Sequence, residues 1–156
     1  MTELQQLIDE LGLQAHPEGG YYKETYRSAQ TLEGQDRQLL TSIYFLLTAE
    51  NVSKFHRIKS DELWYFHAGS PLIVHTLSER GHEQHHLGLN LSKGQQPFLW
   101  IPKDTIFGSS ILEKEGYSLV SCAVAPGFDF RDFELFERAK LLEVFPEYRE
   151  IVERLS

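Results

Sequence analysis

The sequence predicts a mainly β fold, a sandwich or barrel, with a helix at its N-terminal end and helices at its C-terminal end. Three observations carry this. Runs rich in β-branched and aromatic residues fill the middle of the chain, glycine-centred turn signals punctuate them, and helical periodicity is confined to the two ends.

The first helix is set by Thr2 as its cap, with Gln5 placed to complete a capping box. Leu4, Leu7, Ile8 and Leu11 share one face, and Gly12 stops the helix. Strands follow at residues 39–47, 63–66, 72–77, 98–101 and 117–124. Turns fall at Gly34, Gly69-Ser70-Pro71, Gly81, Lys93-Gly94 and Glu115-Gly116. A short helix is expected over 132–142, capped by Asp132. At the end, Pro146 suits a first helical turn, and Tyr148, Ile151, Val152 and Leu155 line one side. With no repeat, low-complexity stretch or linker, residues 1–156 read as one domain.

Bulk properties narrow the function. With 15 basic against 23 acidic residues the formal charge is -8, which argues against a nucleic-acid partner and against docking to anionic lipid. A lone cysteine, Cys122, makes no internal disulfide, and it lies in an apolar strand as an inert thiol. The start of the chain lacks a signal-peptide pattern and no apolar run reaches membrane-spanning length, so the expected address is cytoplasmic.

Seven histidines invite a search for chemistry. The cluster His82, His85 and His86 has a composition that zinc or nickel favours. Its place beside the Gly81 turn argues for a solvated hairpin, because neighbouring strand residues point to opposite faces. His56 and Glu62 are more informative. They flank a short Lys59-Ser60-Asp61 turn, so a hairpin can bring them to one face. Imidazole beside carboxylate makes an acid/base pair or part of a metal site; the same spacing also suits a plain surface pair. Trp64 and Phe66 share the face of Glu62.

The stretch from His56 to Gly69 resembles the first cupin motif, with His56, Glu62 and Gly69 on its first His, its Glu and its Gly. Ile58 stands at the second His. Gly94, Pro102-Lys103-Asp104 and Phe107 resemble the second motif, with Phe107 at its His. Two of the four usual metal ligands are thus apolar. The segments running from His16-Pro17-Glu18-Gly19-Gly20 to Arg27, from Thr41 to Leu47, and from Ala125 to Phe130 are similar to the Cupin_5 branch, whose members are commonly labelled sugar epimerases.

The resemblance implies a jelly-roll cupin barrel, a homodimer and a sugar-like small-molecule ligand. It places catalytic roles on His56, as base, and Glu62, as its orienting or acidic partner. Tyr22, Glu24, Arg27 and Tyr44 are expected to supply acid or anion contacts. Lys54, Trp64 and Phe107 complete the ligand-binding set. No cofactor and no tightly bound metal are expected, since Ile and Phe offer a metal nothing. Two alternatives stay open: a non-catalytic binding cupin, and a metal enzyme that recruits His67, His75 or Glu24.

Overall fold

The structure is a computed structural model and describes residues 2–156. In chain order it contains α1 (Glu3–Leu11), β1 (Gln14–Ala15), β2 (Tyr21–Arg27), β3 (Thr41–Thr48), β4 (Ser53–Arg57), β5 (Asp61–Gly69), β6 (Leu72–Ser78) and β7 (Gly81–Leu87). Then come β8 (Phe98–Ile101), β9 (Ile106–Ile111), β10 (Tyr117–Ala125), β11 (Glu134–Leu135), α2 (Arg138–Val144) and α3 (Arg149–Arg154).

The strands form two antiparallel sheets, ordered β1-β2-β3-β10-β5-β8 and β11-β4-β9-β6-β7. Strands distant in sequence lie side by side, as β3 does with β10 and β4 with β9. The sheets face each other, and their inward side chains make the main core: Phe45, Leu47, Trp64, Leu72, Val74, Phe107 and Val120 among them. Each such side chain, fully withdrawn from water, contributes about 1.5–3 kcal/mol.

Alternation along β3 decides what faces the core. Phe45 and Leu47 point inward, while Leu46 and Tyr44 point outward beneath α1, joined there by Leu4, Leu7, Ile8 and Leu11. Thr2 caps α1 by accepting the Gln5 backbone N–H at 3.1 Å. The return half of the expected capping box is absent, because the Gln5 side chain donates instead to Asp9 one turn on. Gly12, at φ 66°, ends the helix as expected, with Leu13 N–H bonded to the Ile8 carbonyl.

At the other end, α2 and α3 cover the outer face of the second sheet, with Phe55 and Leu77 buried against Leu141, Ile151, Val152 and Leu155. The helix expected over 132–142 is corrected. A 3-10 turn at Phe130–Asp132 and the strand β11 intervene, and the helix starts at Arg138. Asp132 is not a cap, because the Arg37 guanidinium takes both of its carboxylate oxygens, at 2.7 and 2.8 Å.

The hairpin expected for His82, His85 and His86 is present as β6–β7, with all three half-buried rather than fully solvated. They run along β7, with His82 next to the Gly81 turn. His85 and His86 do face opposite ways, but His82 Nε2 lies 2.9 Å from Nδ1 of the buried His75, which in turn meets Ser110 Oγ at 3.1 Å. Among the described residues, no helix is long and apolar enough to cross a membrane.

Candidate active site

At one end of the barrel interior, His16, Glu18, His56 and Glu62 converge on a small chamber. Its other walls are apolar, including Ile43, Phe45, Ile58, Trp64, Phe128 and Phe133.

His56 is placed by an irregularity in β4, whose register with β9 shifts between Ser53 and His56. The His56 Nδ1–H donates at 2.6 Å to the Lys54 carbonyl. On the other side of the ring, Nε2 lies 2.8 Å from Glu18 Oε2. Phe107 packs against the ring at 4.2 Å between centroids, and Phe133 stacks on it at 5.3 Å. Both ring nitrogens are therefore engaged by the protein.

Glu18 arrives from a loop that needs two glycines. At Gly19, φ is 113° and an added Cβ would stand 1.9 Å from the Val52 carbonyl oxygen; at Gly20, φ is 78° and the Leu46 carbonyl is 2.8 Å away. Only glycine permits this approach, which lays the loop on β4 and delivers the Glu18 carboxylate to His56. Burial alone pushes the His56 pKa down. The Glu18 carboxylate and the Lys54 carbonyl outweigh burial, so the net shift is upward. Burial likewise pushes Glu18 up, and His56 outweighs it, so Glu18 is held below its ordinary value. Each partner thus favours the charged form of the other, imidazolium beside carboxylate.

Glu62 is different. It is the second residue of β5, is half-buried, and lines the chamber among mostly apolar groups. Burial first, with Glu18 adding and His56 opposing, pushes its pKa up to about 8. It is mainly a neutral acid at neutral pH. The Trp64 indole N–H faces its carboxyl without reaching regular hydrogen-bond geometry, so the carboxyl keeps capacity for a ligand. Cys122 lies in the same wall, its thiol pushed well up by burial and by Glu62 and Glu18, which keeps it protonated.

The chamber itself is about 50 Å³, room for a few water molecules. It cannot enclose a sugar ring. A wider groove of about 540 Å³ lies at its mouth and shares Tyr22, Thr41, Ile43 and Phe128 with it. A ligand would enter end-first, with its bulk in the groove.

The expected site residues distribute unevenly over this geometry. His56, Glu62, Tyr22 and Trp64 meet at the chamber. Trp64 is 2% exposed and its ring packs edge-to-face with Phe45 and Phe107, so it offers no face for stacking. Glu24 and Arg27 lie in the outer groove and pair with each other at 2.7 Å; Arg27 also serves Gln38 and the Phe128 carbonyl. Tyr44 sits on the outer face of its strand, the Lys54 side chain is exposed to solvent, and Phe107 lies in the core under His56. None of these three lines the chamber. The expectations did not include His16, Glu18 and Phe133. The available signal was the pair of ionisable residues around Pro17, placed immediately before a Gly-Gly step.

The metal set that the cupin resemblance implies does not fit these residues. Ile58 and Phe107 stand at two of its positions, and His56 has no free ring nitrogen. His67 and His75 lie on strand faces outside the chamber, and Glu24 is in the groove. Among the described residues, no three His, Cys, Asp or Glu side chains form a group that holds an ion.

Comparison with known proteins agrees with this architecture. The family model Cupin_5, described as cupin superfamily (DUF985), matches residues 5–136. A protein of Shewanella oneidensis solved by crystallography is 44% identical, with a TM-score of 0.94 over 100% of this chain and 98% of that one. An uncharacterized protein of Saccharomyces cerevisiae is 30% identical over 148 residues, covering 84% of this chain and 74% of the yeast protein. A mutant of Bacillus subtilis oxalate decarboxylase shares the fold at 16% identity, with a TM-score of 0.58 over 91% of this chain, which spans 37% of that one.

Proposed function

The chain belongs to the Cupin_5 branch of the cupin superfamily, and within that fold we propose that its barrel is a metal-independent isomerase site for a small, sugar-like carbonyl compound. The carrying observation is Glu62, an acid of pKa about 8 that opens on the chamber with hydrogen-bonding capacity to spare. Such a group exchanges protons near neutral pH.

The proposed chemistry is an enolisation. The carboxylate form of Glu62 takes the proton from the hydroxyl-bearing carbon beside a carbonyl; the C–H electron pair becomes a C=C bond and the carbonyl π pair moves onto its oxygen. A proton passes from the neighbouring hydroxyl to that oxygen, and the Glu62 carboxyl returns its own proton to the former carbonyl carbon, so the carbonyl moves by one position and atoms and charge balance. No oxidant or reductant is needed. One base on one face supports a shift of this kind better than an epimerisation, which returns the proton to the opposite face. His56 adds no second base, because both of its nitrogens are engaged. Its pairing with Glu18 instead sets the field in which Glu62 titrates.

The test is a panel of small aldoses and ketoses incubated in heavy water with the wild-type protein and Glu62→Gln. Turnover or carbon-bound deuterium is expected in the wild type, rising with pH through about 8, and neither is expected in the variant. Absence of both from the wild type across the panel would sink the reading.

The engagement of His56 also favours a second reading, a non-catalytic binding cupin. Ligand-dependent thermal stabilisation without turnover or exchange would select it. The proposal includes a homodimer: β8 is an edge strand, and Phe98 and Trp100 on it remain exposed beside Tyr65, as a covered seam requires.

A further inference from the structure

His16 has a free nitrogen where His56 has none. Its Nδ1 accepts the Glu18 backbone N–H at 3.2 Å. That bond requires a bare Nδ1 and so assigns the neutral tautomer with its proton on Nε2. The ring is wedged edge-on against Tyr22 at 4.6 Å and Phe45 at 5.9 Å, and it lines the chamber. Burial, ahead of the opposing pull of Glu18, favours the uncharged ring.

The position also matters. His16 follows β1 and enters from the β1–β2 side, whereas Glu62 enters from β5, with β3 and β10 between. The two side chains thus reach the chamber from separate parts of the same sheet. A carbonyl compound entering end-first would meet both a carboxyl and an imidazole N–H among the chamber's lining groups.

We propose that His16, as its Nε2–H tautomer, is the ligand-facing imidazole of this site and donates a hydrogen bond to the carbonyl oxygen of a small hydroxycarbonyl ligand. The inference rests on the reading of the chamber as the ligand site. In the enolisation the same N–H stabilises the oxygen on which negative charge develops. Nε2 already carries the ring's proton, and the lone pair on Nδ1 is taken by the Glu18 backbone N–H, so the ring has no site free to accept a proton. It is a polarising donor, not a base, and proton exchange stays with Glu62. A neutral imidazole suits this role, since it polarises an oxygen without giving up its proton.

The probe is acetohydroxamate, a small mimic of an enediolate, followed by nitrogen and proton NMR of histidine-labelled protein. Free protein is expected to show His16 as the Nε2–H tautomer and His56 as the doubly protonated ring. Added acetohydroxamate is expected to move the His16 Nε2–H resonance downfield and to leave the Nδ1 bond in place. His16→Phe keeps a flat ring without nitrogens and is expected to weaken binding about 10-fold, while His16→Gln, which keeps an N–H, recovers part of the loss. A His16 ring protonated on Nδ1, a probe that fails to bind, or a probe that moves His56 and not His16 would each overturn the proposal. The wild-type spectra decide even where a variant folds poorly. Absence of sugar turnover alongside a perturbed His16 would end the isomerase reading while leaving His16 as the ligand contact.

Discussion

Glu18 Oε2 lies 2.8 Å from His56 Nε2, and both side chains are more than nine-tenths buried. Neither charge survives there without the other. Removing one partner of a buried ion pair costs about 3–5 kcal/mol, because the remaining charge is left without compensation. Glu18→Gln is therefore expected to lower stability by about 3 kcal/mol near neutral pH, measured by urea unfolding. The double variant Glu18→Gln with His56→Gln removes both charges and is expected to recover much of that loss. A single-variant cost below about 1 kcal/mol would mean that the pair carries little charge.

Glu62 bears on stability in the opposite sense. Its folded pKa is raised to about 8, above an unfolded value near 4.5. Between those values the unfolded chain gives up its proton while the folded chain keeps it, so stability falls as pH rises through that window. Glu62→Gln preserves the neutral shape and removes the titration. It is expected to melt about 10 °C above wild type at pH near 8.5 and level with it near pH 4. Equal melting curves at both would place the carboxyl in bulk-like solvent.

Two sequence signals were legible because they are local. Period-two alternation and turn residues identified β3, β5, β6, β8 and β10, and helical periodicity identified α1 and α3. His56 and Glu62 do meet at one chamber, but the expected hairpin between them is corrected: β4 and β5 belong to different sheets, so the two side chains reach the chamber from facing sheets. β2 and β9 lack that signature. Tyr21–Arg27 carries charges on exposed positions, and Ile106–Ile111 includes Gly108, where an added Cβ would lie 2.7 Å from the Ser53 carbonyl oxygen. Glu18 was not legible as the partner of His56, because the contact depends on the Gly19 backbone resting against Val52. Nor was the orientation of Lys54 and His56, since the irregularity in β4 breaks the alternation that sequence reasoning assumes.

That close approach makes Gly19 a sensitive position. With φ at 113° and a Cβ 1.9 Å from the Val52 oxygen, alanine meets both backbone strain and a direct clash. Gly19→Ala is expected to cost at least about 3 kcal/mol and to move Glu18 away from His56. The second effect separates it from simple destabilisation: His56, released from its carboxylate, should titrate at lower pH than in the wild type. An unchanged His56 titration would show that the loop holds Glu18 without the glycine.

His75 sets an acid limit that has nothing to do with the chamber. It is 2% exposed beneath the C-terminal helices, bonded to Ser110 on one side and His82 on the other. Burial first, then His82, Arg154, His86 and His85, push its pKa down to about 3. The unfolded ring takes up its proton near pH 6.5. From there downward the unfolded state binds more protons than the folded one, so stability is complete above about pH 6.5 and is lost as pH falls toward 3. The loss by pH 5 is about 1–2 kcal/mol from this residue alone. His75→Gln keeps a polar side chain without a titrating proton. It is expected to lower stability at all pH values through its weaker bonds to Ser110 and His82, yet to flatten the acid slope of the urea midpoint between pH 7 and 5. Parallel slopes in the two proteins would mean that His75 is free to protonate in the folded state, and that the acid limit lies with another residue.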